Sequence, residues 1–418
     1  MHTLHGNFTN QTNFFGGNNI FDLVQEYGSP LYIYNEGILR TRCKEIKNLV
    51  TYENFIPHYS VKANTNIHLL KIIREEGLHA DVMSPGEIYL ALKSGFQPEE
   101  LFFIPNNVTS EDMRYAIDHG ILMSLDSLSQ LELYGTLNPG GKVAIRFNPG
   151  IGAGHHEKVV TAGKKTKFGV NPEDIQTVKD LLKEYDLTLV GINQHIGSLF
   201  MDYDPYIQST TSILEIANHF KDLEFIDLGG GFGIPYHKQD GEARLNMSAL
   251  GQKLDAVLHN FAETYGKKIQ FQIEPGRYIP CECGLIAGSV TSLKENGGVH
   301  YLGTDVGFNV LQRPIMYDSY HDLELYSTHT TSQSTLQPFT VVGNICESGD
   351  ILAKDRLLPT PLVGDLIGVL DAGAYGFSMS SSYNQRPRTA EILITENSTV
   401  RLIRKRETLE DLLRPMLI

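Results

Sequence analysis

The sequence predicts an α/β protein: a (β/α)8 TIM-type barrel followed by a mostly β C-terminal domain. Two observations carry this reading. Eight short apolar runs bounded by turn residues alternate with segments of helical periodicity, and after residue 278 the helical segments give way to β-branched strands separated by turns. A length of 418 residues suits one barrel with an appended module.

The eight runs come in order. HYSVKAN (58–64), HADVMS (79–84), LFFIPN (101–106), ILMSLDS (121–127) and VAIRFNP (143–149) recur at a spacing of about 20 residues. LVGINQHIGS (189–198), FIDLGGG (225–231) and FQIEPG (271–276) follow at longer intervals that leave room for insertions. Between them, stretches such as NIHLLKIIREEGL, GEIYLALKSG and PEDIQTVKDLLKEY repeat apolar residues at helical spacing. Beyond residue 278, GLIAGSVTSLKEN, VHYLGTD, QPFTVVGNICES, DLIGVLDAG, TAEILITEN and TVRLIRKR read as strands. SPLYIYN (29–35) is a further strand able to pair with them. The expected division is therefore 1–36, a tail and a strand joining the β domain; 37–278, the barrel; and 279–418, the β domain. The first residues, MHTLHGNFTNQTNFFGGNN, read as a frayed polar tail.

Composition excludes several classes of function. Charged residues make up 20% of the chain and hydrophobic ones 41%, as in ordinary globular proteins. A net charge of −14 argues against a nucleic-acid or anionic-membrane binder, although 35 Lys and Arg remain to build local cationic pockets. No apolar run approaches 18 residues, so no membrane span is expected. The N-terminus has neither the basic start nor the apolar core of a signal peptide. Four scattered cysteines (Cys43, Cys281, Cys283, Cys346) do not make a disulfide framework, and the cytoplasm is the expected location.

Chemistry in such a barrel sits at the C-terminal ends of the strands. Polar residues gather there: Lys62, Asp81, His195, Ser198, Gly229, Gly230 and Gly231, Glu274 and Arg277. Each has a plain alternative. Lys62 could be an ion-paired structural lysine, His195 a satisfied core histidine, and DLGGGFGIPY a tight turn. EPGR could hold a simple Glu274–Arg277 ion pair. Taken together they suit one group: an amine made nucleophilic toward an aldehyde by desolvation, bare backbone N–H groups for a phosphate, a flat ring for stacking, and a carboxylate to hold a proton on a heterocyclic nitrogen. That set describes pyridoxal 5'-phosphate. The stretch 149–169, rich in Gly, Lys and His, follows a strand end and is a candidate lid. His155 and His156 lack a ligand constellation, CEC (281–283) lacks a second half, and no metal site is expected.

Eight motifs in order, YSVKAN, DVMSPGE, HIGS, LGGGFGIPY, EPGRYI, RPIMYDSYH, CESGD and DAGAYGFSMSSSYNQRPR, make the chain resemble the fold-type III pyridoxal-phosphate-dependent decarboxylases over nearly its whole length. The similarity is greatest to members acting on meso-2,6-diaminopimelate. It implies that Lys62 carries the cofactor's aldehyde, that His195 stacks on its ring and that Glu274 pairs with the ring nitrogen. It further implies that Asp81, Ser198, Gly229–Gly231, Pro275, Gly276, Arg277 and Tyr375 line the cofactor, the phosphate included. Arg277, Arg313, Tyr317, Glu347 and Tyr375 would hold substrate, Cys346 would deliver a proton, and a homodimer would share the site, the Cys346 segment coming from the second copy. Two arginines plus Glu347 suit a distal end bearing both a carboxylate and an amine, which an ornithine-type substrate lacks. The expected reaction yields L-lysine and CO2. Rivals are a decarboxylase of a related amino acid, a racemase with a second base in place of Cys346, a cofactor-free aldolase and an inactive binding homologue.

Overall fold

The computed structural model describes residues 8–150, 166–328 and 336–417. It divides into two compact units, residues 40–234 with 244–279, and residues 1–39 with 235–243 and 280–418. The first strand, β1 (Leu31–Asn35), belongs to the second of these.

The first unit is a closed parallel barrel. Its strands are β2 (Phe55–Ser60), β3 (His79–Val82), β4 (Leu101–Phe103), β5 (Leu122–Leu125), β6 (Lys142–Arg146), β7 (Thr188–Asn193), β8 (Phe225–Asp227) and β9 (Gln270–Ile273), with β9 pairing back to β2. Every run predicted for the barrel forms a strand, but the strands stop earlier than the sequence pattern suggests. Lys62 lies in a 3-10 turn, Val61–Ala63, immediately beyond β2.

After β2, β3 and β4 a capped helix begins within a few residues. Asn66 accepts the His68 N–H, Ser84 accepts the Glu87 N–H ahead of Pro85, and Thr109 and Asp112 form a reciprocal capping box. Side chains alternate along a strand, and this sets the barrel interior in layers. His58, Phe102, Ala144 and Phe225 come from alternate strands; Phe102 meets His58 edge-on with centroids 6.2 Å apart and Phe225 at 5.2 Å. Two residues further along three of the same strands stand Ser60, Arg146 and Asp227, so the apolar layer is capped by a polar one.

The second unit is a nine-stranded sheet of β1, β10 (Gly284–Asn296), β11 (Val299–Thr304), β12 (Leu323–Tyr326), β13 (Gln337–Val342), β14 (Ile351–Leu358), β15 (Leu366–Val369), β16 (Ala390–Ile394) and β17 (Val400–Arg404). β1 runs antiparallel to β10 and parallel to β16, with Ile33 opposite Leu285 and Ile392. Strands β12 and β14 escape the sequence reading because charged residues interrupt them, as in Ile351–Leu358 (ILAKDRLL).

The frayed tail is a correction. From Phe8 onward the segment is folded: Phe14 and Phe15 pack into the core with Leu31, Ile33 and Ile392. The Thr9 N–H and hydroxyl both reach the buried Glu324 carboxylate. Residues 151–165 of the candidate lid, with His155 and His156, lie outside the described residues. Among the described residues no helix is long and apolar enough to cross a membrane.

His58 sits in the apolar layer with neither ring nitrogen hydrogen-bonded, and burial pushes its pKa down to about 3. The unfolded chain binds that proton near pH 6.5 and the folded barrel does not, so stability falls as pH drops below 6.5 toward 3. His58→Leu should remove about 2 kcal/mol of the loss at pH 5, read as the difference between urea unfolding at pH 7 and pH 5 in both proteins.

Candidate active site

The barrel mouth assembles the residues singled out by sequence. Ser60 at the end of β2 donates to Asp81 Oδ2 at 2.5 Å and contacts the Glu274 carbonyl at 3.3 Å, tying together the ends of β2, β3 and β9. Asp81 is fully buried. Burial pushes it up to about 8, against the pull of the Lys62 ammonium. Glu87 accepts the Met83 N–H at 2.8 Å, so the acidic residue of DVMSPGE shapes the turn into its helix. It also feels Lys62.

Glu274 is the electrostatic centre. Burial alone would raise its pKa; the hydrogen bond from His195 and the charges of Lys62 and Arg146 override burial and bring it down to about 2. His195 itself is lowered by burial, so at neutral pH it stays uncharged and donates from Nδ1 to Glu274 Oε2 at 3.2 Å. Asn193, fixed by Ser124 at 2.6 Å, reaches the other oxygen, Oε1, at 3.4 Å. Asp227, by contrast, lies well above the carboxylate range because it is buried beside the Glu274 charge, and it keeps its proton.

The glycine turn Gly229–Gly231 is set by close approach. A Cβ on Gly230 would fall 1.8 Å from the Glu274 carbonyl, and one on Gly229 would fall 2.2 Å from that of Gln194. Not all its amides are bare. The Gly229 N–H donates to Asp227 Oδ1 at 2.8 Å, whereas the Gly230 N–H points at His195 Nδ1, 3.2 Å away. That nitrogen gives its proton to the ionised Glu274, so it is a poor acceptor for the Gly230 N–H. Arg277 Nη2 donates to Ser198 Oγ at 3.0 Å, joining the HIGS and EPGR loops; Arg277 and Glu274 diverge across Pro275 and Gly276.

The second unit holds the remaining candidates. Arg313 opens the short helix Arg313–Tyr317, and Tyr317 stands one turn later. Cys346 and Glu347 are exposed on the turn between β13 and β14, and the Cys346 N–H is held by Asn384. Asp350 builds that turn, accepting the N–H groups of Phe308 and Ile345 at 2.7 Å each. Ile315 of the short helix packs on Gly349 in the same turn. Tyr375 adopts φ 55°, a conformation that L residues with side chains rarely take.

Four residues of the barrel mouth escape the sequence reading: Ser60, Arg146, Asn193 and Asp227. Arg146 was the legible one, being a charged residue directly after the apolar run 143–145 of a parallel strand.

These groups fit pyridoxal phosphate. An amine, an ionised carboxylate and an imidazole converge at one strand-end mouth, and buried polar atoms without hydrogen-bond partners (Asp81 Oδ1, Gln194 Oε1, Asp227 Oδ2) lie in the same interior. Residues 36–281 match the family model described as pyridoxal-dependent decarboxylase, pyridoxal binding domain. The chain belongs to the pyridoxal-dependent decarboxylase family. Within this family it is 38% identical to diaminopimelate decarboxylase of Methanothermobacter thermautotrophicus over 96% of its length and 94% of the relative's. It is 36% identical to the Aquifex aeolicus enzyme of that name, over 97% and 95%. The crystal structure of diaminopimelate decarboxylase from Helicobacter pylori complexed with L-lysine superposes with a TM-score of 0.87 at 30% identity, covering 95% of this chain and 99% of that one.

Arg146 is the buried cation facing Glu274, Asp81 and Asp227. Arg146→Met should raise the Glu274 pKa and weaken pyridoxal phosphate by about tenfold, with Arg146→Lys intermediate. Titration of the apoprotein with cofactor, followed by visible absorbance, reads this directly.

Proposed function

We propose that this decarboxylase acts on meso-2,6-diaminopimelate, removing CO2 from the D-centre and releasing L-lysine, with pyridoxal 5'-phosphate as cofactor. One combination carries the reading. The barrel mouth pairs Lys62 with an ionised Glu274, and the second unit holds a buried guanidinium, Arg313, one helical turn from Tyr317. The first suits the chemistry and the second suits the substrate.

Bound pyridoxal phosphate supplies an electron sink for the pair left behind when CO2 departs. The chain's own residues do the rest. In this reading the Lys62 amine would hold the cofactor through its aldehyde. Glu274 keeps the ring nitrogen protonated and His195 lies against the ring. Asp81, held by Ser60, lines the cofactor site beside them. Ser198, the Gly229–Gly231 turn, the backbone of Pro275, Gly276 and Arg277, and Tyr375 hold the phosphate.

Arg277, Arg313, Tyr317 and Tyr375 orient substrate by its carboxylate, and Glu347 takes the distal ammonium. Orientation chooses the bond, because the departing carboxylate must stand perpendicular to the cofactor ring. Cys346 then returns a proton to the carbon. An ornithine-type substrate would leave Arg313 with no carboxylate to hold. The barrel, residues 37–278, thus carries the cofactor, and residues 279–418 carry most of the substrate groups. Exposure of Cys346 and Glu347 suits a cytoplasmic homodimer in which each copy completes the other's site.

Incubation of the holoenzyme with meso-2,6-diaminopimelate should give L-lysine and CO2 in equal amounts; turnover of ornithine alone would overturn the substrate assignment. Glu347→Ala should lower kcat/KM by about tenfold or more with the cofactor still bound. Full activity in that variant would remove Glu347 from the substrate site.

A further inference from the structure

Among the described residues Arg313 is the largest side chain buried to less than 2% exposure, and its guanidinium is mounted from two sides. Its Nη1 donates to His321 Nε2 at 2.7 Å. The other nitrogen of that ring, Nδ1, lies 2.8 Å from the Leu370 carbonyl, which can only accept, so Nδ1 carries the proton and Nε2 presents its lone pair to the arginine. The backbone carbonyl and the arginine, which can only donate, thus select the same tautomer. A main-chain bond from the Leu370 N–H to the Asp322 carbonyl, at 2.9 Å, clamps the two segments side by side. Beneath the guanidinium lies Tyr236, with its ring centroid 4.6 Å from Cζ. The same ring meets His321 edge-on, at 5.3 Å and 77°.

We infer that His321 is a positioning residue that aims Arg313 at the substrate's distal carboxylate, with Tyr236 as its platform. This rests on the clamp role proposed for Arg313. An arginine side chain has several rotatable bonds, and its donors select a carboxylate by angle only if the guanidinium plane is fixed. Here an acceptor in the plane and a ring under the face fix two directions at once. Both rings are uncharged in this arrangement and satisfy part of the guanidinium without cancelling its charge. Substrate recognition is the step that needs that charge. Leu370 also follows β15 directly, five residues before Tyr375, so the mount joins the arginine helix to the loop bearing another proposed substrate residue.

Two variants separate aiming from mere structural support. His321→Asn keeps a side-chain donor near the Nδ1 position for Leu370 but loses the acceptor for Arg313. His321→Gln places a carbonyl near Nε2 and sacrifices the Leu370 bond. If His321 aims Arg313, Asn should raise the KM for meso-2,6-diaminopimelate and the Ki of L-lysine by about tenfold, as expected for one hydrogen bond to a charged group, while Gln stays near wild type. The Ki of cadaverine, which has no carboxylate, should not move in either variant, nor should the cofactor's absorbance. In an Arg313→Met background His321→Asn should add no further loss. The reverse order, with Gln damaged and Asn near wild type, would overturn the inference, as would a full Asn effect in the Arg313→Met background. If Arg313→Met leaves KM and the L-lysine Ki unchanged, the clamp reading itself falls.

Discussion

A carboxylate that stays ionised while buried is the constraint around which the barrel mouth is built. Glu274 immediately follows the last barrel strand, and burial works against its charge. Two cations and a neutral imidazole reverse that tendency. Their positions follow from the fold: Lys62 sits on a turn after the first barrel strand, Arg146 ends the fifth and His195 follows the sixth. No local segment could bring them together; a closed sheet can. Asp227 shows the complementary outcome, for a second carboxyl in the same interior has no cation to itself and keeps its proton.

The two units solve different problems of preorganisation. The barrel fixes its polar groups through the alternation of its strands, which stacks Ser60, Arg146 and Asp227 directly above an apolar layer. The β unit has no such regularity where its candidate groups lie. It fixes them by side chains that satisfy the backbone of irregular turns: Asp350 for the Cys346 turn, His321 for the Arg313 helix. Loops built this way hold position without belonging to a strand.

The eight barrel strands and the site residues on them were legible in the sequence because apolar runs, turn residues and strand-end polarity coincide at each. Lys62, His195 and Glu274 all stand where such a run ends. The folded N-terminal segment was not legible, since Phe14 and Phe15 are the only bulky apolar pair in a polar stretch. Their burial depends on strands hundreds of residues away. Ser60 and Asn193 were hidden for another reason: small polar residues inside strands look unremarkable until the register places them against Asp81 and Glu274. The glycine turn was read as three bare amides, and the pairing of Gly229 with Asp227 could come only from geometry.

The position of β1 has a bearing on how the chain is made. LYIYN is complete once residue 35 leaves the ribosome, yet its ladder partners start at Gly284 and Ala390. The barrel strands, 55 to 273, can all pair before either partner exists. Throughout that interval an apolar strand travels with both edges open, the condition under which nascent chains pair wrongly with one another. An interior strand that precedes the barrel in the chain thus makes the β unit the last to close and leaves it dependent on protection during synthesis.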